Sequence, residues 1–528
     1  MSNEADNNKA SPEAQEAAPA NARLDELIDH INREHFVVVE AGKTVIFRPA
    51  TDPALGRLAH WRMSFSDFQN AYSNRTVSVK QPDGSYSEAP LAPLWLKSPR
   101  RRQYLGGVVF DPSGSRVPPN GYNLWRGFAV QPKQGEWPLM QRHLEEVICG
   151  GNAAESRYLF GWLARMFQYP GEQGEVAVVL RGLRGGGKGT LAQWILRIFG
   201  EHGLHMIQAA HLTGNFNAHL QDTCFLYADE AFFAGDPRIV GILNGLITER
   251  AILIEGKRRN AVMVKNCLHV LMASNNDWVV PAACDERRYF LPSVSDHRRG
   301  DFEYFDALEK EAKEGGLAAM LHEALAYDLH SFNVRRIPDT PGLNRQKLES
   351  LNVVDRWWLD VLQRGYVFDS RLGLSGEFRR WADTVTMDFL FLSYSGFAKG
   401  CHERHPLTRE RLGQFMAGVK AKAIRPRAAL PVGEEMREEE AGGGDYGIGK
   451  RSQRVAKPIT RTRAHAYSLG TLAAARAAFA EARGLVIEWA EEPGEEAEAE
   501  AEDMGKPASQ KAIEDMAVAY PHTSQAVN

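Results

Sequence analysis

The segment Gly182-Leu183-Arg184-Gly185-Gly186-Gly187-Lys188-Gly189-Thr190 constrains what this chain can fold into more than any other. It follows Val176-Ala177-Val178-Val179-Leu180, an apolar run suited to a parallel strand buried on both faces. After it, Leu191, Trp194, Ile195, Ile198 and Phe199 mark one face of a helix that Gly200 can end. Strand, glycine loop and helix are the parts of a Walker A motif. The glycines let successive backbone N–H groups turn inward around phosphate oxygens, and the helix N-terminus adds its positive dipole end. Gly182, Gly185, Gly186, Gly187, Lys188, Gly189, Thr190 and the later Asp229 are the expected ATP-binding residues, with Lys188 reaching the β- and γ-phosphates.

One position departs from that motif. Gly189 stands where Ser or Thr usually supplies a magnesium hydroxyl, so Thr190 is the expected substitute. Further along, Cys224-Phe225-Leu226-Tyr227-Ala228 reads as a strand ending in Asp229-Glu230. Asp229 is placed to hold Mg²⁺ together with Thr190, and Glu230 to polarise an attacking water. A third apolar run, His269 to Ser274, ends at Asn275-Asn276, where the Asn275 amide can sense a γ-phosphate. Arg287 and Arg288 follow, either as a finger reaching a neighbouring subunit's nucleotide or as intrasubunit salt-bridge partners. Arg298-Arg299 is a rival pair for the finger role.

The rest of the chain falls into segments. Residues 1–22 lack large apolar groups and are expected to be disordered, and residues 23–150 to form a small α+β domain. Within it, Arg100-Arg101-Arg102 is either a nucleic-acid contact or a solvated loop. The P-loop core is expected over 151–330, a connecting region over 331–380, and a mostly helical, winged-helix-like unit over 381–487. Helical stretches at Met387–Lys399, Thr408–Lys420 and Leu469–Arg483, with a basic insert between them, suggest that last unit. Residues 488–528 form an acidic tail expected to be disordered. The formal net charge of −4 is concentrated there, and the remainder is mildly basic, which suits a nucleic-acid partner. Five scattered cysteines without a C-x-x-C pair fit neither a disulfide framework nor a zinc site. Cys401, His402 and His405 are a solvated helix end before they are a metal site. No apolar run approaches the ~20 residues of a membrane helix, and no signal peptide is evident, so a cytoplasmic protein, in the host if phage-encoded, is expected.

In motif order the chain resembles the superfamily 3 helicases of the AAA+ class, found in small DNA viruses, poxviruses, phages and integrated elements. Ile252-Leu253-Ile254-Glu255 and Ala261-Val262-Met263-Val264 are β-prone, and Gly256 and Asn260 can make the bend between them. The segment resembles the B-prime hairpin of that family, which implies that Lys257, Arg258 and Arg259 contact DNA in a ring channel. Stretches from Arg102 to Pro112 and from Tyr122 to Phe128 resemble the pre-helicase region of phage primase-helicases. The resemblance implies an α/β fold with an AAA+-type P-loop NTPase core. It further implies a homo-hexameric ATP-dependent helicase translocating on single-stranded or forked DNA. No paired Asp-x-Asp site or zinc module stands before residue 175, so priming is expected to fall to a separate primase or polymerase. Two other readings stay open: a nucleotide or small-molecule kinase, suggested by the Gly-Lys-Gly-Thr ending shared with nucleotide kinases, and an ATPase switch that loads partners on DNA.

Overall fold

The computed structural model describes residues 12–51, 58–207, 217–230, 237–256, 261–276, 287–367, 381–425, 429–440, 452–462 and 465–489. The chain divides into two units, Met1–Ser350 and Leu351–Asn528.

The first unit opens with α1 (Pro12–Glu34). A helix therefore starts inside the stretch expected to be disordered. Alanines and glutamates that lack a core of their own are also good helix formers, and residues from Leu24 onward pack on a neighbouring sheet. Strands β1 (Phe36–Glu40), β2 (Lys43–Thr51) and β3 (Leu58–Met63) follow, then α2 (Phe65–Ala71), β4 (Thr76–Lys80), β5 (Tyr86–Pro90), α3 (Leu91–Lys97) and β6 (Gln103–Tyr104). The sheet order is β3-β2-β1-β6. Its apolar face covers Phe68 and Trp95. The three arginines tie this domain together. Arg100 bridges Asp25 at 2.8 Å and Asp29 at 2.6 Å. Arg101 donates to the Leu96 carbonyl at 2.7 Å, and the Arg102 guanidinium lies 4.8 Å from the centre of the Phe36 ring. They lie on a turn and loop in which Arg100 and Arg102 are exposed, as the solvated-loop reading expects, and their charges also engage partners within the chain.

Short strands β7 (Val108–Val109) and β8 (Tyr122–Asn123) lead to α4 (Pro138–Arg142), which continues as a π-helical turn over His143–Ile148, and to α5 (Ala153–Gln168). The central apolar cluster already includes Trp137, Met140 and Leu144, so the boundary expected at 150/151 falls inside the core. The central sheet contains β9 (Ala177–Arg181), β10 (Gly203–Met206), β11 (Phe225–Asp229), β14 (His269–Ser274) and β15 (Tyr289–Phe290), with the hairpin β12 (Ala251–Ile254) and β13 (Val262–Lys265) beside it. The sheet is all parallel, in the order β10-β11-β14-β9-β15. Alternate residues serve opposite faces. Val178, Leu180, Phe225, Tyr227 and Leu271 pack with α5 and with α6 (Lys188–Phe199). Ala177, Val179, Leu226, Ala228 and Val270 pack with the helix Pro237–Thr248 and the hairpin. This two-sided burial is why each strand reads as a continuous apolar run.

The second unit begins with the helix Val353–Arg364, so the segment expected to connect belongs partly to each unit. Trp357 is buried there and donates to Ser393 Oγ at 3.0 Å. Strand β16 (Thr384–Thr386) and helices Met387–Gly400 and Arg409–Gly418 come next, then β17 (Lys422–Ile424), a long hairpin of β18 (Ala429–Glu440) with β19 (Ser452–Thr462), β20 (Ala466–Ser468) and the helix Leu472–Arg483. The small antiparallel sheet runs β16-β20-β17. The insert between those helices contains the hairpin, whose register sets Glu435 opposite Lys457 and Glu438 opposite Arg454. Among the described residues no group of His, Cys, Asp or Glu is arranged to hold a metal ion by itself, and no helix is long and apolar enough to cross a membrane.

One buried carboxylate pins α5 to the segment that follows β15. Glu155, fully buried on α5, accepts from Ser293 N at 2.7 Å and Ser293 Oγ at 3.0 Å. Glu155→Ala strands both donors and is expected to destabilise the first unit by about 3 kcal/mol. A urea midpoint equal to that of the unsubstituted protein, at unchanged slope, would remove this anchor.

Candidate functional site

Parallel strands present their C-terminal ends to one edge, and the glycine loop emerges there from β9. Gly185 and Gly187 adopt φ of 80° and 86°, conformations that disfavour side chains. A Cβ on Gly187 would also stand 2.5 Å from His143 Cε1. Lys188, first residue of α6, folds back over the loop. Its ammonium donates to the carbonyls of Gly182 at 2.6 Å and Leu183 at 2.8 Å, and to Asn275 Oδ1 at 3.0 Å. Burial lowers its pKa, while Glu230, Asp296 and Asp229 pull the other way.

Asn275 links two groups. It accepts from Lys188 and donates through Nδ2 to Glu230 Oε1. This is possible because β14, which Asn275 directly follows, lies between the loop strand β9 and β11. Glu230 has φ 52°, a left-handed conformation, with its N–H on the Ala273 carbonyl at 2.9 Å. Such a conformation costs on the order of 1–3 kcal/mol and is kept only where neighbours enforce it. Asp229 ends β11 on the face shared with Tyr227, and His205 Nε2 lies 3.8 Å from its Oδ2.

Lys188, Gly189, Thr190, Gly185–Gly187, Asp229, Glu230 and Asn275 therefore line one cleft of about 890 Å³. Gly182 contributes its carbonyl to Lys188. A loop with open glycines, a cation and facing carboxylates fits a nucleotide triphosphate. The hard oxygens of Thr190 and Asp229 fit Mg²⁺, which takes one or two carboxylates and leaves the rest to phosphate and water. Arg287 and Arg288 are not in the cleft. They precede β15, whose Tyr289 pairs with Ala177 at the opening end of β9, roughly 16 Å of strand from the loop. Arg299, from the rival pair, does line it. Arg298 is held by Asp301 at 3.1 Å and lies over the Tyr304 ring. Lys257, Arg258 and Arg259 lie outside the described residues.

Sequence reasoning missed His143, Asp296 and Tyr227. His143 is buried beneath the loop, its Nε2 3.3 Å from the Gly187 carbonyl and its Nδ1 3.1 Å from the Tyr304 hydroxyl. Burial pushes its pKa down to about 4. Asp296 Oδ1 stands 3.5 Å from where a Cβ on Gly186 would lie. Burial first, and then the Asp229 carboxylate, push the Tyr227 phenol up. No local motif announces these residues, because they act through burial and contacts remote in sequence.

Residues 180–288 match the model of a family of unknown function, DUF5906. The DNA primase-polymerase of Nitratiruptor phage NrS-1 is 31% identical over 140 residues, which is 26% of this chain and 19% of that protein. The match thus spans less than a fifth of that relative's length. Among solved structures, one of the NrS-1 C-terminal region has a TM-score of 0.55 at 16% identity, covering 84% of this chain and 98% of that one. Another structure of the same region gives 0.53 at 17% identity, covering 71% and 90%. At these identities the likeness is one of fold.

The His143–Gly187 contact is open to a double-mutant cycle. Gly187→Ala should cost more than the ~1–2 kcal/mol of a side chain at positive φ, because its Cβ also meets the imidazole. In His143→Ala/Gly187→Ala the two losses should sum to more than the double mutant loses. Additive losses in thermal or urea unfolding would show that the clash is relieved without the histidine.

Proposed function

We propose that this chain is an ATP-dependent DNA helicase of the superfamily 3, AAA+ type. In this reading it acts in replication of a phage or mobile element and translocates on single-stranded DNA as a homo-hexameric ring. The observation that carries the reading is the Lys188–Asn275–Glu230 connection, which joins a phosphate-seeking cation to a carboxylate through one amide. In the proposed mechanism Lys188 and the loop N–H groups bind the β- and γ-phosphates, and Thr190 and Asp229 hold Mg²⁺. Bound Mg²⁺ neutralises phosphate charge. Glu230 takes a proton from the attacking water while Asn275 orients that water against the γ-phosphate. Arg287 or Arg288, displaced from its own chain's cleft, serves a neighbouring subunit.

Two further features support a DNA motor. The second unit runs helix, strand, two helices, strand, long hairpin, strand, which is the order of a winged helix, and Arg409–Gly418 would be its recognition helix. The β12–β13 hairpin is rooted firmly. Asn217 accepts from Glu255 N at 2.7 Å and donates to the Leu253 carbonyl at 2.8 Å. Buried Asn266 donates to the carbonyls of Leu246 and Glu249. A rooted hairpin can transmit force to a basic tip.

Lys188→Ala should abolish ATP hydrolysis, and Glu230→Gln should bind ATP without turning it over. Unsubstituted protein should hydrolyse ATP faster with single-stranded DNA, and mass measurement should find a ring-sized assembly. Turnover that ignores DNA and phosphorylates a small acceptor would mark a kinase instead. ATP turnover without separation of a forked duplex would mark a switch.

Lys257→Ala/Arg259→Ala should keep basal ATPase activity and assembly, yet lose DNA stimulation and unwinding. Its DNA affinity should depend less steeply on salt, since two phosphate contacts are gone. Unwinding of a forked duplex at the unsubstituted rate would rule the hairpin out as the translocating element.

A further inference from the structure

The loop lacks a side chain at Gly189, and something else occupies the space beside it. The Tyr227 hydroxyl is 3.7 Å from the position a Cβ on Gly189 would take, an ordinary contact distance. Tyr227 comes from β11, two residues before Asp229. Alternation along a strand therefore aims both side chains at the cleft, whose walls include Tyr227, Asp229, Gly189 and Thr190. After burial, the Asp229 carboxylate is the strongest influence raising the phenol's pKa, so the two groups lie near one another on the same face of β11. Its ring is fixed from the other side by His205 on β10, stacked with centroids 4.7 Å apart and planes 22° from parallel.

Thr190, which the reading above places on Mg²⁺, cannot also put a hydroxyl where a side chain at 189 would stand. A helix turns about 100° per residue, so the next position points elsewhere on the helix surface. A hydroxyl that reaches the same space from a facing strand does not have this difficulty. We propose that Tyr227 is a positioning residue that stands in for the missing P-loop hydroxyl, donating to Asp229 and holding that carboxylate on the metal side of the nucleotide. The pair Gly189 and Tyr227 is then an exchange: the loop gives up its hydroxyl, and the strand supplies one through the room the glycine leaves. This assignment rests on the nucleotide reading given above.

The test uses full-length protein and Mn²⁺ as a paramagnetic probe. Mn²⁺ affinity of the complex with a non-hydrolysable ATP analogue is read by electron paramagnetic resonance. Analogue affinity in EDTA and thermal unfolding are measured alongside. Tyr227→Phe should leave unfolding and metal-free nucleotide affinity unchanged and weaken Mn²⁺ roughly 10–100-fold, the usual effect of removing a partner of a metal-holding group. Adding Gly189→Ser to Tyr227→Phe should restore Mn²⁺ binding, since the hydroxyl returns from the loop side. A mere packing defect would not respond to a serine on another element. Unchanged Mn²⁺ affinity in Tyr227→Phe overturns the proposal, as does a loss that Gly189→Ser leaves unrestored. If unsubstituted protein binds no nucleotide with or without Mn²⁺, the parent reading falls, and that result is distinct from either.

Discussion

The buried ammonium of Lys188 is the group that the first unit is organised around. A cation cannot sit 8% exposed at the end of an apolar sheet without acceptors, since its desolvation would exceed the gain from packing its stem. Two acceptors are local carbonyls, which the glycine loop can turn inward. The third is Asn275, and it requires a particular sheet. Only a strand between β9 and β11 can end with its side chain beside both Lys188 and Glu230. The parallel order β10-β11-β14-β9-β15 meets that requirement. Parallel strands in turn need both faces covered, which accounts for helices on one side and the helix Pro237–Thr248 with the hairpin on the other.

The same demand reaches into segments far from the loop in sequence. His143, in a π-helical turn, lies against Gly187, and π-turns insert one extra residue where a helix must aim a side chain. Tyr304 takes the other nitrogen of that imidazole and lies beneath Arg298. Glu155 holds the backbone at Ser293, and the Val147 carbonyl accepts from Ser295 N at 2.8 Å. A chain running from 293 to 304 is thus pinned against the π-helical turn and α5, bringing Asp296 and Arg299 to the glycine loop.

How much of this was legible in the sequence depends on the distance over which each residue acts. The strand, loop and helix around Lys188 were readable because their chemistry is contiguous: apolar run, glycines, cation, amphipathic helix. Asp229-Glu230 and Asn275 were readable as polar ends of apolar strands. His143, Asp296 and Tyr227 were not, since a histidine among helical residues or a tyrosine within a strand looks like core. Their significance appears only when residues more than twenty positions apart meet. Arg100–Arg102 were readable as a solvated loop but not as ties to the preceding helix. Three adjacent cations look like a surface patch, and the carboxylates and the ring that engage them are supplied by residues 25–36. The helix Val353–Arg364 looked like a connector because its partners, Ser393 and Tyr394, lie beyond a gap in the periodic pattern.

Two backbone strains flank the cleft and oppose each other across it. Gly187 at φ 86° closes the loop above α6, and Glu230 at φ 52° turns the chain as it leaves β11. Glycine bears the first at no steric cost, whereas Glu230 bears its strain with a side chain present. Its carboxylate is therefore worth more at that point than a relaxed backbone. The Ala273 carbonyl holds its N–H and the Asn275 amide holds its side chain, both from the end of β14. Asn275 is also a ligand of Lys188, so an anion that draws the ammonium away from the amide oxygen alters the group restraining Glu230. In the nucleotide reading, occupancy of the glycine loop and the freedom of the carboxylate would be coupled through one side chain. Such a coupling would need no domain movement, only an exchange of partners at Asn275.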